Sequence, residues 1–163
     1  MKSAYIFGYG SLLNPISRAK TYSAEDVIEP VTLSGYQRIL NACPESYPDI
    51  GMNLVENPDM SVVGVITRVS QEELPILRER EFGYDEVEVT NQVSILLDGP
   101  VYTFISSLTD IGDRKAFQTY LDTCLGGVAP EQREQWLLET IIECDILDDR
   151  TNPQYGNYVP LDY

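Results

Sequence analysis

The chain contains no histidine. That one absence removes much of the catalytic repertoire. Ser-His-Asp and Cys-His arrangements cannot be built. Histidine-bearing zinc sites are excluded, and three scattered cysteines cannot make an all-cysteine tetrahedral site. Cys43, Cys124 and Cys144 are odd in number and lack CxxC spacing, which reads as structural thiols in a reducing cytosol. Positive charge is scarce: 11 Lys and Arg stand against 26 Asp and Glu, a formal net charge of -15. Nucleic acid and anionic membrane surfaces would be repelled by such a surface, which also keeps the protein soluble. No window approaches the roughly 18 apolar residues that span a bilayer. Met1-Lys2-Ser3 leads into a short strand with no long apolar h-region, so no signal peptide is expected and the expected location is cytoplasmic. Any general acid or base must be Asp, Glu, Lys, Tyr or Cys.

What is present suits one globular domain: 163 residues, 43% hydrophobic and 23% charged. Residues 3–9 read as a first strand, and residues 13–22 as a short helix or loop with Asn14-Pro15 as N-cap and first position. Residues 28–42 read as a strand bent at Gly35-Tyr36, 43–49 as a proline loop, 51–56 as a short strand ended by Asn57-Pro58, and 61–70 as a Val-rich strand. Ser70 with Glu73 forms a capping-box pattern opening a helix over 71–80, stopped by Gly83. Residues 84–96 and 101–106 read as a hairpin. Residues 113–125 and 130–144 have helical periodicity, with Trp136 on a core-facing stripe, and 148–163 is a tail. Strands first and helices late predict an α+β domain, with a core over 3–108, a helical part over 113–147 and no dividing linker.

Two clusters carry candidate chemistry. Gly8-Tyr9-Gly10-Ser11 closes the first strand. Its glycines let a ligand approach the backbone, and its N–H groups suit an anion such as a carboxylate; an ordinary β-turn is the alternative. The third glycine of a dinucleotide fingerprint is replaced by Leu13, and no βαβ repeat follows, so nucleotide binding is rejected. Ser11 has no histidine or Ser-x-x-Lys lysine to activate it. The second cluster, Leu77-Arg78-Glu79-Arg80-Glu81-Phe82-Gly83-Tyr84, lies where a helix meets a strand. A carboxyl half-buried there would have a raised pKa; a solvated charge run is the alternative. The Asp145, Asp148 and Asp149 group lacks the glycine spacing of a calcium loop and reads as a frayed helix end.

Taken together, Tyr9-Gly10-Ser11-Leu12, Val62-Val63-Gly64-Val65-Ile66, the Leu-rich helix and Glu81-Phe82-Gly83-Tyr84 resemble, in order and spacing, the γ-glutamylcyclotransferase-like family over about residues 4–106. The resemblance implies a small mixed β-barrel flanked by helices, with a cavity at its mouth, and needs no metal or cofactor. It implies cyclisation of a γ-glutamyl peptide, amino acid or amine to 5-oxoproline with release of the amine. Carried onto this chain, Tyr9, Gly10, Ser11 and Leu12 anchor the substrate and Glu81 is catalytic, with Tyr102, Tyr155 and Tyr158 as candidate wall residues. Glu86 is the runner-up to Glu81. The family's glycine directly after the catalytic Glu is here displaced by Phe82, which leaves a non-catalytic binding module of the same fold as the alternative, and an interaction protein using the late helices as a third reading. The net charge favours neutral or cationic leaving groups.

Overall fold

The structure is a computed structural model that describes residues 3–23, 26–45 and 47–161. The N-terminal apolar run forms β1, Ala4–Gly8, buried along its whole length. Burial on both faces is why the run does not alternate. Two long strands, β2 (Val27–Ala42) and β3 (Gly51–Val69), pair antiparallel. The expected break at Asn57-Pro58 does not end β3. The register shifts between the pairs Ser34↔Ser61 and Tyr36↔Glu56, so Pro58 lies in a bulge, where its missing N–H costs no ladder bond. Opposite it, Gly35 takes φ +86° and makes the expected bend.

After β3 comes helix α2, Leu74–Arg80 (α1 being the short Pro15–Ala19), then β4, Asp85–Glu88, and β5, Val101–Ile105. The sheet order is β2-β3-β1-β5-β4, with β1 antiparallel to β3 and parallel to β5. The class is α+β, as the order of elements predicts, but the sheet is not closed into a barrel. Among the described residues the segment after β4, not β4 itself, reaches the β2 edge, through the isolated bridge Leu33↔Val93. Closure needs a continuous ladder, and β4 ends at Glu88 where a strand over 84–96 was expected. The chain turns there, with Gln92 N–H bonded to Val89 O.

The late segment is less helical than its periodicity suggests. Ala116–Phe117 and Ile146–Leu147 form a two-residue parallel pair, β6 and β7, so α3 begins only at Gln118 and runs to Leu125. Helix α4 spans Arg133–Leu138, and Ile141 bridges to Ile39 of β2. Trp136 packs in the main core, with the Arg38 guanidinium 4.6 Å over its ring. That core joins Phe7 and Tyr9 to Tyr120, Leu121 and Cys124 of α3, while Ile6 packs with Leu74 and Leu77 of α2. Thus β1 is held between the two layers. Gly64 permits its close approach to β3, since a Cβ there would meet Gly8 O at 2.4 Å. Asp149 is no frayed end: it is buried and accepts from Thr119 N at 3.0 Å and Thr119 Oγ1 at 2.6 Å, capping α3. Among the described residues no helix is long and apolar enough to cross a membrane.

The capping box forms. Glu73 Oε2 accepts from Ser70 N at 3.1 Å and Ser70 Oγ at 2.8 Å, and Ser70 Oγ accepts from Glu73 N at 3.2 Å. Glu73 Oε1 also accepts from Ser23 N and Oγ, both at 2.8 Å. The Ser23 and Ser70 hydroxyls hold the Glu73 carboxyl down at about 2, against an ordinary 4.5. A depressed carboxyl stabilises the fold above its unfolded pKa and loses that contribution as pH falls through the folded value. Glu73→Ala should therefore lower stability by about 1 kcal/mol near neutral pH. The gap to wild type should close between about pH 5 and pH 2 in urea denaturation series.

Candidate functional site

Beyond Gly8 the backbone enters a single 3-10 turn, Ser11–Leu13, with Leu13 N–H bonded to Gly10 O. Asn14 locks the turn. Its Oδ1 accepts from Ile16 N at 2.9 Å and Ser17 N at 3.3 Å, and its Nδ2 donates to Thr123 O of α3 at 2.9 Å. Among the described residues no acceptor is bonded to the N–H groups of Gly10, Ser11 and Leu12. Orphan donors of this kind at the start of a helical turn favour an anion.

Glu81 follows the last turn of α2, its N–H still bonded to Leu77 O at 2.9 Å. Its side chain is 16% exposed, and Arg80 Nε lies 3.5 Å from its Oε1. Burial pushes its carboxyl above the ordinary range, and the Arg80 charge opposes the rise. The Arg80 side chain is 10% exposed. Its Nη1 donates to Ser17 O and Thr21 Oγ1, each at 2.7 Å, and its Nη2 donates to Ser17 Oγ at 2.8 Å and Ser11 Oγ at 3.3 Å. This one guanidinium joins α1, the Ser11 turn and the end of α2.

Two adjoining clefts border Glu81, and a third borders it on the side of Phe82 and Arg78. The inner one is lined by residues 7–12 with Met52, Glu81, Tyr84, Phe104 and Tyr120. The outer one is lined by Tyr47, Asp49, Arg80, Tyr155 and Asn157 among others. Ser11, Glu81, Tyr84 and Tyr120 border both. The tyrosines are structural as well as lining groups. Tyr9 donates its hydroxyl hydrogen to Phe104 O. Tyr84 donates to Met52 O at 3.0 Å, and Tyr120 Oη accepts from Met52 N at 2.8 Å, so this pair grips β3 at one residue. Tyr155 packs edge-on against Tyr120 with centroids 5.1 Å apart. Burial pushes the Tyr9, Tyr84 and Tyr120 hydroxyls well above their ordinary value, so all three stay neutral at physiological pH.

The structure thus brings Tyr9, Gly10, Ser11, Leu12 and Glu81 to the inner cleft and Tyr155 to the outer one, and leaves Tyr102 and Tyr158 outside both. Tyr102 pairs in register with Ile6. It lies one pleat below Phe104, away from the strand ends where the cleft opens. Tyr158 is in the tail, its N–H bonded to Tyr155 O and its carbonyl facing Lys20 Nζ at 3.4 Å. Glu86 is occupied on the surface, held by Arg78 through bonds of 2.7 and 2.9 Å. The displaced glycine also has an explanation. Gly83 takes φ +92°, with its Cα packed so that a Cβ would meet Pro44 Cβ at 2.5 Å. Phe82 is 68% exposed and does not enter the inner or outer cleft. Asp49, Tyr47 and Tyr120 carried no local signal: two lie in the proline loop and one in the late helical segment.

No family model matches the chain, and no curated protein matches it in sequence. Solved structures do. YkqA from Bacillus subtilis superposes with a TM-score of 0.64 at 20% identity, over 85% of this chain and 54% of that one. This chain therefore spans about half of YkqA. An uncharacterized protein from Homo sapiens gives a TM-score of 0.69 at 15% identity, over 91% of both chains. A protein described as a gamma-glutamyl cyclotransferase gives 0.67 at 15% identity, over 90% of both. The chain has the γ-glutamylcyclotransferase-like fold. In this copy of the γ-glutamylcyclotransferase-like fold, Arg80 joins the turn after β1 to the end of α2.

A Lys ammonium cannot reproduce the forked geometry of that contact. Arg80→Lys should destabilise the protein by about 1–3 kcal/mol in urea denaturation. It should also raise amide exchange at residues 11–17 more than elsewhere. Unchanged exchange there would show that the guanidinium does not hold the turn.

Proposed function

We propose that this protein is a cyclotransferase acting on small γ-glutamyl compounds. The observation that carries the reading is one cleft lined both by Glu81 and by Gly10, Ser11 and Leu12, whose N–H groups have no acceptor among the described residues. In this reading those N–H groups hold the substrate's α-carboxylate. The α-amine is thereby folded toward the substrate's own γ-carbonyl, and positioning of this kind is worth up to roughly 7–11 kcal/mol of barrier. Glu81 takes a proton from the α-ammonium, the freed amine attacks the γ-carbonyl carbon, and a C–N bond closes the five-membered ring. Collapse of the tetrahedral species breaks the original amide bond. Glu81 returns its proton to the departing nitrogen, leaving 5-oxoproline and a free amine. One carboxyl serves both steps because burial moves its pKa toward the working pH. No protein nucleophile is required, which suits a chain without histidine whose buried Cys124 thiol is pushed up to about 12.

The test is 5-oxoproline release from a panel of γ-glutamyl peptides, amino acids and amines. Glu81→Gln should lower kcat by about 10³-fold or more while leaving the thermal transition in place. Because the base must be ionised to accept a proton, kcat/KM of the wild type should fall as pH drops through Glu81's pKa. Burial places that limb above the ordinary 4.5. Binding of γ-glutamyl compounds without release at any pH would identify a binding module instead.

A further inference from the structure

The outer cleft contains a charge that the proposed reaction does not use. Asp49 is 6% exposed and lines this cleft but not the inner one. No Lys or Arg pairs with it among the described residues, and no side chain donates to it. Its own main-chain N–H is the one donor that reaches the carboxylate. A buried carboxylate without a partner is costly to keep ionised. Burial, with the like charge of Asp149, pushes its pKa up, and an adjacent cation would reverse that.

The position of Asp49 gives the cost a use. The inner cleft is lined by the residues with orphan N–H groups, so the cyclotransferase reading puts the glutamyl half there and the scissile amide at the wall formed by Ser11, Glu81, Tyr84 and Tyr120. Two clefts adjoin the inner one at Glu81 and Tyr84; the outer one shares Ser11 and Tyr120 with it as well, and the leaving group is assigned there. The one cation lining that space, Arg80, has both terminal nitrogens engaged by Ser11, Ser17 and Thr21, and its Nε faces Glu81. It has no donor to spare for a leaving-group carboxylate.

We propose that Asp49 forms a cation subsite that selects γ-glutamyl substrates whose leaving amine carries a second, protonated amino group. The inference rests on the cyclotransferase reading for the direction in which the substrate lies. The subsite discriminates by leaving an anionic leaving group facing an unpaired carboxylate as much as by attracting an ammonium.

Three γ-glutamyl amides of matched length separate the charges: those of diaminobutane, butylamine and aminobutyrate. Wild-type kcat/KM for 5-oxoproline release should fall in that order, by about tenfold at each step. Asp49→Asn, which keeps the shape of the protonated acid, should cut the diaminobutane-to-butylamine ratio by about tenfold, and Asp49→Ser should do the same. Calorimetric binding of the three amides to Glu81→Gln protein, with and without Asp49→Asn, reads the subsite independently of turnover. Turnover of all three at similar rates, or a ratio that survives both Asp49 variants, overturns the subsite and leaves the activity standing. Ammonium-selective binding that Asp49→Asn abolishes, with no 5-oxoproline from any amide, overturns the activity and supports the subsite. Absence of binding by all three overturns both.

Discussion

The Arg80 guanidinium is the constraint on which the geometry of the cleft depends. Taking a permanent cation out of water is tolerated only when its donors are satisfied. Here the acceptors come from three separate places: Ser11 in the turn after β1, Ser17 in α1, and Thr21 just beyond it. Satisfying them fixes where α2 ends relative to β1. Glu81 is the next residue, so the same contact sets where its carboxylate enters. The charge also acts electrostatically. It opposes the upward pull of burial on the Glu81 carboxyl.

Much of this fold was legible locally, and the exceptions share one cause. β1, the Val-rich half of β3, β5 and the Ser70–Glu73 capping box are dictated by runs and motifs a few residues long. The misread segments depend on partners far along the chain. Residues 113–117 are periodic enough for a helix, yet Ala116 pairs with Ile146. Residues 84–96 alternate well enough for one strand, yet β5 supplies ladder partners only for Asp85–Glu88. Asn57-Pro58 looks like a strand end until Gly35 supplies a bulge opposite it. The candidate site divides in the same way. The residues at 9–12 and Glu81 sit in short motifs, whereas Asp49 and Tyr120 reach the cleft only through the packing of a proline loop and α3 against β3. Tyr102 shows the opposite error: its residue type suits a site wall, but its register beside Ile6 places it a pleat too deep.

As the proposed proton carrier of a chain without histidine, Glu81 needs an apolar setting, and the tyrosines supply it without adding charge. Tyr9, Tyr84 and Tyr120 are all held neutral by burial, and each hydroxyl is bonded to main chain, of Phe104 or Met52. They therefore act on Glu81 mainly by excluding water. Desolvation is the first cause of the raised Glu81 pKa, with no second carboxylate required to produce it. This differs from a carboxylate dyad, in which like-charge repulsion does the tuning and both acids must share one proton.

On the proposed reading, the division of labour between the two clefts reconciles a net charge of -15 with a substrate that bears a carboxylate. Main-chain N–H groups attract an anion through local dipoles, whose field falls off faster with distance than that of a charge. An anchor of this kind binds one carboxylate at short range and needs no basic side chain, so the rest of the surface is free to be acidic. Long-range steering then works on the other half of the molecule. A substrate whose leaving group carries an ammonium has a favourable end for the field of the whole protein and, at Asp49, a favourable end for the cleft. On that reading the global charge and the outer cleft select in the same direction, while the proposed glutamyl anchor is indifferent to both.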